Sequence, residues 1–218
     1  MEIDHIFLRA RRGAPEAAAL IALGLSEGSA NRHPGQGTAN RRFFFHNAFL
    51  ELLWIEDAAQ VSNTATSPTQ LTERLDSEGN SSPFGLCFRP AHQQQTPPFP
   101  SWPYRPAYLP AGMQIDIASG APLHEPMWFF LAQALAPAQA APARRQPLQH
   151  ALGLCNISAV TLTVATDADW SPAAQAASSG GAITLQRGTS HLLELSFDGA
   201  KHGRHIDLRP TLPLVLHL

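Results

Sequence analysis

The stretch Phe49-Leu50-Glu51-Leu52-Leu53-Trp54-Ile55 constrains this chain more than any other. Read as a strand, it places Phe49, Glu51, Leu53 and Ile55 on one face and Leu50, Leu52 and Trp54 on the other. Both faces are apolar, and a strand apolar on both faces is covered on both. The chain must therefore stack material above and below a sheet. Glu51 lies inside one of those covered layers, where an unpaired carboxylate is costly. It needs a cation, a metal, a hydrogen-bond donor or a proton.

The order of elements around this strand follows from local signals. Residues 2–9 alternate as a strand, with His5 on the face of Ile3 and Phe7. Pro15 and Glu16 open a helix through Leu23, stopped by Gly24. A turn-rich segment, 28–38, leads to a strand from Arg42 to His46, and Phe49–Ile55 follows. The first 57 residues thus read as β-α-β-β with a further short β or loop before the second strand. The middle, 58–150, holds a helix near 68–76 and strands at 84–89, 113–118 and 127–131. It also carries a Pro-rich aromatic run, 96–110, in which each proline removes a backbone donor, so neither a helix nor a central strand fits there. Residues 151–218 repeat the opening order: a strand from Ile157, a helix over 169–177, then strands near 183–186, 191–197, 205–208 and 214–218.

The two ends echo each other. Phe49-Leu50-Glu51-Leu52-Leu53-Trp54 overlays on Leu192-Leu193-Glu194-Leu195-Ser196-Phe197, with a Glu at the same place in both. This predicts a duplicated supersecondary unit, 1–57 and 151–218. Candidate ligating or proton-transferring side chains are then His5, Glu51 and Glu194. His5 and a divalent metal together would meet the need of Glu51, and imidazole with carboxylate suits Zn, Fe, Mn or Ni. A purely structural pairing of Glu51 with Arg42 or His46 is the alternative, and His191, His202 or His205 could partner Glu194 in the same way. Around Asn31–Arg41, Gly35 and Gly37 allow close backbone approach, and His33, Asn40, Arg41 and Arg42 bring donors beside the core. That pattern fits a loop facing an oxygen-rich or anionic small molecule. Trp102, Tyr104 and Tyr108 could line the same pocket or simply anchor their loop.

Several functions are disfavoured. The net charge of −2 gives no basic face for nucleic acid. No apolar run is long enough for a membrane helix, and no basic start with an apolar run marks a secretory leader, so a cytoplasmic protein is expected. Cys87 and Cys155 are expected as reduced thiols. There is no Gly-x-Ser-x-Gly, Cys-x-x-Cys or His-Glu-x-x-His, and Gly35–Gly37 lacks the Gly-Lys-Ser/Thr of a phosphate loop.

Asp4-His5-Ile6, His33-Pro34-Gly35-Gln36-Gly37-Thr38-Ala39-Asn40-Arg41, and Phe49-Leu50-Glu51-Leu52 with Asp57 together resemble the glyoxalase-like domains of the vicinal-oxygen-chelate superfamily. The resemblance implies an α+β fold of paired βαβββ modules forming a cupped mixed sheet, as in glyoxalase, bleomycin-resistance and dioxygenase proteins. It implies a divalent metal in the cup, with His5 and Glu51 at matching positions and Glu194 by the echo. Ala159 stands where a second His is expected. The resemblance implies a metal-assisted lyase, isomerase or dioxygenase acting on a small oxygenated substrate, with Glu51 or Glu194 as an alternative base, or a metal-free binding protein of the same fold. It also implies a homodimer.

Overall fold

The computed structural model describes residues 1–91 and 96–218. Its first half is one eight-stranded sheet built from β1 (Glu2–Arg9), β2 (Asn31–His33), β3 (Thr38–Phe44), β4 (Phe49–Ile55), β5 (Phe84–Arg89), β6 (Ser101–Tyr104), β7 (Ile115–Ala118) and β8 (Met127–Phe130). The strand order is β2-β3-β4-β1-β5-β8-β7-β6. β1 runs parallel to β4 and antiparallel to β5, and β5 runs parallel to β8. The sheet is therefore two four-stranded units of identical order, joined along β1 and β5. The first unit carries α1 (Ala17–Ala22) between its first two strands. Short helices α2 (Ala58–Val61) and α3 (Leu71–Arg74) link the units.

Alternation along the strands divides two apolar clusters. Ile6, Leu8, Leu50, Leu52, Leu86, Phe88, Trp128 and Phe130 face the main core. Phe7, Leu53, Cys87, Ile117, Met127 and Phe129 face the inside of the cup. This is the double covering that the Phe49–Ile55 strand demanded. The cover on the core side is the final third: β9 (Ile157–Ala165), α4 (Pro172–Ser179), β10 (Thr184–Gly188), β11 (Leu192–Phe197), β12 (His205–Asp207) and β13 (Leu214–His217). Leu162, Ala174, Leu193, Leu195 and Leu216 join Ile6 and Phe130 in one continuous core. Asn47 stitches the layers, exchanging two hydrogen bonds with the backbone of Ile157.

One expectation needs correcting. The last third has the expected succession of elements but not the expected pairing. Its sheet order is β10-β9-β11-β13-β12, and β11 lies antiparallel to β9, whereas β4 lies parallel to β1. β11 is thus not the counterpart of β4, and the true structural repeat of the first unit is 84–130. The Pro-rich run also contains a strand, β6, but at the sheet's edge, where Pro103 forfeits no ladder bond that the sheet requires. Among the described residues, no helix is long and apolar enough to cross a membrane.

Candidate functional site

A cavity of about 160 Å³ opens inside the cup. One half of its wall comes from the first unit: His5, Asn31, His33, Asn40, Arg42 and Glu51. The other half is apolar: Phe7, Ile115, Ile117, Met127 and Phe129, with Leu71, Tyr108 and Leu109 arching over from the connecting segments.

His5 owes its position to a bulge. β1 advances from Ile3 to His5 while β5 advances only from Phe88 to Cys87, leaving Asp4 as the extra residue. Asp4 and His5 then sit side by side, with Asp4 Oδ2 2.7 Å from His5 Nδ1. The carboxylate holds the proton on Nδ1 and directs Nε2 into the cavity. There Nε2 lies 3.6 Å from Glu51 Oε2. The His5 ring stacks on Phe49 at 4.5 Å, which fixes its plane. Glu51, 5% exposed, accepts a hydrogen bond from Asn40 Nδ2, and Asn40 Oδ1 accepts from the Asn31 N–H. Arg42 sits directly across from Glu51 on β3. Its guanidinium reaches the Ser29 carbonyl and hydroxyl and lies over Phe44. Burial lowers the pKa of Arg42, and Glu51 works against that.

The rim is a second small network. His33 Nδ1 lies 2.8 Å from Thr38 Oγ1, Gln36 donates to the same hydroxyl, and Tyr108 donates to Gln36. Burial pushes the His33 imidazole below its usual pKa, with Glu51 opposing and Arg42 and His5 adding to the shift. Burial pushes the Tyr108 phenol far up, so it stays a donor.

The sequence-predicted residues divide cleanly. His5, His33, Asn40, Arg42, Glu51 and Tyr108 meet around one cavity. Arg41 does not: strand alternation turns it to the opposite face, where it grips Glu27 and the Ala14 carbonyl. Trp102 packs on the cup-facing cluster beside Tyr104 but lines a neighbouring cavity rather than this one. Glu194 belongs to the other sheet, on its outward face, where it accepts from His217 Nε2 at 3.0 Å. Sequence reading missed Asp4, Asn31, Gln36, Phe49, Phe129 and Met127. The bulge that brings Asp4 in has no local sequence signal, and the apolar wall comes from strands 80 residues away in sequence or from ordinary-looking aromatics.

The donor set bears on the implied metal. A local two-fold relates the units about the Ile6–Leu86 pair, since His5 faces Cys87 and Phe7 faces Gly85. It exchanges His5 with Gly85 and Glu51 with Phe129. Gly85 is bare because the Phe7 ring fills the space a Cβ would take, 2.0 Å away. His5 and Glu51 therefore face no donors across the cup. Asp4, His5 and Cys87 do form a buried group. However, Asp4 is spent on His5 and on Arg89, 3.6 Å away. Burial pushes the Cys87 thiol up, with Asp4 and Glu51 adding to this and Arg89 opposing. These residues do not fit a three- or four-ligand metal centre of the kind catalytic zinc requires.

Comparison with known proteins agrees with this architecture. Residues 3–97 match the family model described as "Glyoxalase-like domain". A crystal structure of a hypothetical protein from Staphylococcus aureus superposes with a TM-score of 0.54 at 10% identity, covering 99% of this chain and 98% of that one. That likeness speaks for the fold alone. No curated protein matches the sequence.

Proposed function

We propose that this chain, which carries a glyoxalase-like domain, uses its cup to bind a small amphipathic molecule in one orientation, without a metal. The polar head, bearing a hydroxyl, lies between His5 Nε2 and Glu51, with Arg42 beside them. The apolar body lies against Phe7, Ile117, Met127 and Phe129. One observation carries this reading: the positions related to His5 and Glu51 by the local two-fold are Gly85 and Phe129. A cup that is polar on one half and oily on the other matches a molecule divided the same way.

His5 Nε2 and Glu51 Oε2, 3.6 Å apart, face the cavity as adjacent acceptors, and a ligand hydroxyl seated against them donates its one proton to either. Asp4 steadies the imidazole as a proton is shared. The same arrangement could remove a proton from a bound hydroxyl or adjacent carbon, which is general-base chemistry. Binding is the primary reading, and turnover would be built upon it.

Calorimetric titration with 4-ethylphenol and with 4-ethyltoluene tests the reading. The phenol should bind saturably, the toluene at least tenfold more weakly, and Glu51→Leu should erase the difference. Treatment with EDTA should leave the phenol affinity unchanged. Affinity lost on chelation and regained with Zn²⁺ or Mn²⁺ would overturn the metal-free reading in favour of metal-assisted chemistry at His5 and Glu51. Equal binding of both compounds would overturn the head-group assignment.

A further inference from the structure

A second cavity, of about 320 Å³, lies beside the cup's oily wall and shares Ile117 and Met127 with it. Its other walls include Thr69, Gln70, Arg74 and Trp102. Arg74 closes α3 and is only 3% exposed. Its NH1 donates to the Glu125 carbonyl oxygen at 2.8 Å, while its Nε is fully buried and has no partner.

The Glu125 carboxylate acts on it electrostatically but makes no hydrogen bond with it; the contact is to the Glu125 backbone oxygen. Glu125 is wholly buried, and both of its oxygens are taken: Oε1 accepts from the Ser171 N–H, and Oε2 from the Ser171 hydroxyl and the Trp128 indole. Among the described residues, Arg74 makes no ion pair within 4.0 Å. Burial pulls its pKa down to about 10, with Glu125 and Glu73 opposing. A guanidinium is still charged at neutral pH under those conditions. The guanidinium thus lines a cavity with its Nε unpartnered and, among the described residues, no carboxylate within 4.0 Å, Glu125 and Glu73 acting on it only from farther off, an arrangement that is costly unless something else supplies a direct partner.

We infer that this cavity is a separate binding site for a small organic monocarboxylate, held by Arg74. A carboxylate matches the planar fork of a guanidinium. A single negative charge is favoured because Arg74 stands alone: the neighbouring Arg9 spends its NH1 on the carbonyls of Arg74 and Asp76 and on Ser81. Trp102, Ile117 and Met127 offer apolar surface for a short aliphatic or aromatic body. Because Ile117 and Met127 also line the cup, an occupant here abuts the wall of the first site. The inference does not depend on what the cup binds.

The test is a titration of ¹⁵N-labelled full-length protein with sodium propionate at constant ionic strength, following the indole N–H resonances of Trp102 and Trp128. Wild type should show saturable shifts at both. Arg74→Met should weaken binding at least tenfold, and Arg74→Lys should weaken it less, since charge is kept and the fork is lost. Arg42→Met, which alters only the cup, should leave the shifts at Trp102 and Trp128 in place, so this result stands apart from that of the phenol titration. If Arg74→Met does not fold, the Arg74→Lys comparison carries the test. Linear, non-saturating shifts, shifts undiminished in the Arg74 variants, or sulfate binding as tightly as propionate would each overturn the inference.

Discussion

Glu125 ties the final third to the cupped sheet, and its replacement by Gln should be among the most damaging isosteric changes in the molecule. The carboxylate accepts three hydrogen bonds: from the Ser171 N–H at 2.7 Å, the Ser171 hydroxyl at 2.6 Å and the Trp128 indole at 3.1 Å. A Gln retains one oxygen, which can still serve the Ser171 N–H. Its amide then stands where Oε2 was, facing two donors. The Ser171 hydroxyl cannot adapt freely, because it already accepts from the Ala174 N–H as the cap of α4. The Trp128 indole N–H is left without an acceptor. Hydrogen bonds to charged groups are worth about 1.5–3 kcal/mol each. Losing one outright and the charge assistance to the others amounts to about 3 kcal/mol. For a chain of this length that corresponds to a fall in Tm of roughly 6–12 °C. Urea unfolding followed by tryptophan fluorescence reads the change as a lower midpoint at unchanged slope. Glu125→Gln in a Ser171→Ala background should cost less than in wild type, because part of the network is already gone. A loss below about 1 kcal/mol, or full additivity of the two changes, would refute the argument.

Three other changes should be readable. Gly85→Ala should cost about 1–3 kcal/mol through overpacking, because its Cβ would meet the Phe7 ring at 2.0 Å, and thermal unfolding measures it. Burial lowers the pKa of His33, His150 and His191 from 6.5. A base with a depressed folded pKa binds fewer protons folded than unfolded, so its stability contribution is intact above pH 6.5 and is lost as pH falls below it. Stability should therefore fall from pH 7.5 to 5.5. The drop should shrink in His150→Gln, whose wild-type imidazole accepts from the Ser26 N–H and lies 2.9 Å from the Phe44 carbonyl oxygen. A pH-independent denaturation midpoint would contradict this. Finally, a thiol reagent at pH 8 should label half-exposed Cys155 in the native protein and buried Cys87 only on unfolding. Two fast thiols would place Cys87 wrongly.

Most of the first unit was legible because its signals are local. Strand alternation placed Glu51 and His5 on covered faces, and the glycines of 35–37 marked the hairpin that carries His33 and Asn40. Arg41 was misassigned because donors at successive positions of a strand point to opposite faces, and only one of Arg41 and Arg42 can enter the cup. Glu194 was misassigned for a longer-range reason. The Leu192–Phe197 strand copies the apolar rhythm of Phe49–Ile55, but rhythm carries no information about parallel or antiparallel pairing. Conversely, β5 to β8 repeat the first unit in space without repeating its residues, since Gly85 and Phe129 replace His5 and Glu51. A repeat that keeps backbone order while exchanging polar for apolar side chains leaves nothing in the sequence to align.

That exchange also explains why the final third is present. The first unit covers the outer face of its strands with α1, whose Ala17 and Leu20 are buried in the main core. Among the described residues, the second unit has no helix between β5 and β6. Its fully buried Trp128 and Phe130 still need a cover on that face. α4 supplies it, packing against β8 with Ala173, Ala174 and Ala177. These side chains are small enough to let the helix backbone approach the large aromatics. Pro172 and the Ser171 cap fix where the helix begins, and Glu125, three residues before Trp128, holds that cap in register with the strand. The helix missing from one unit is thus contributed by a segment that belongs to another sheet. A segment so engaged could not also serve as a third cup-forming unit, which is why Glu194 faces outward from its own sheet rather than toward Glu51.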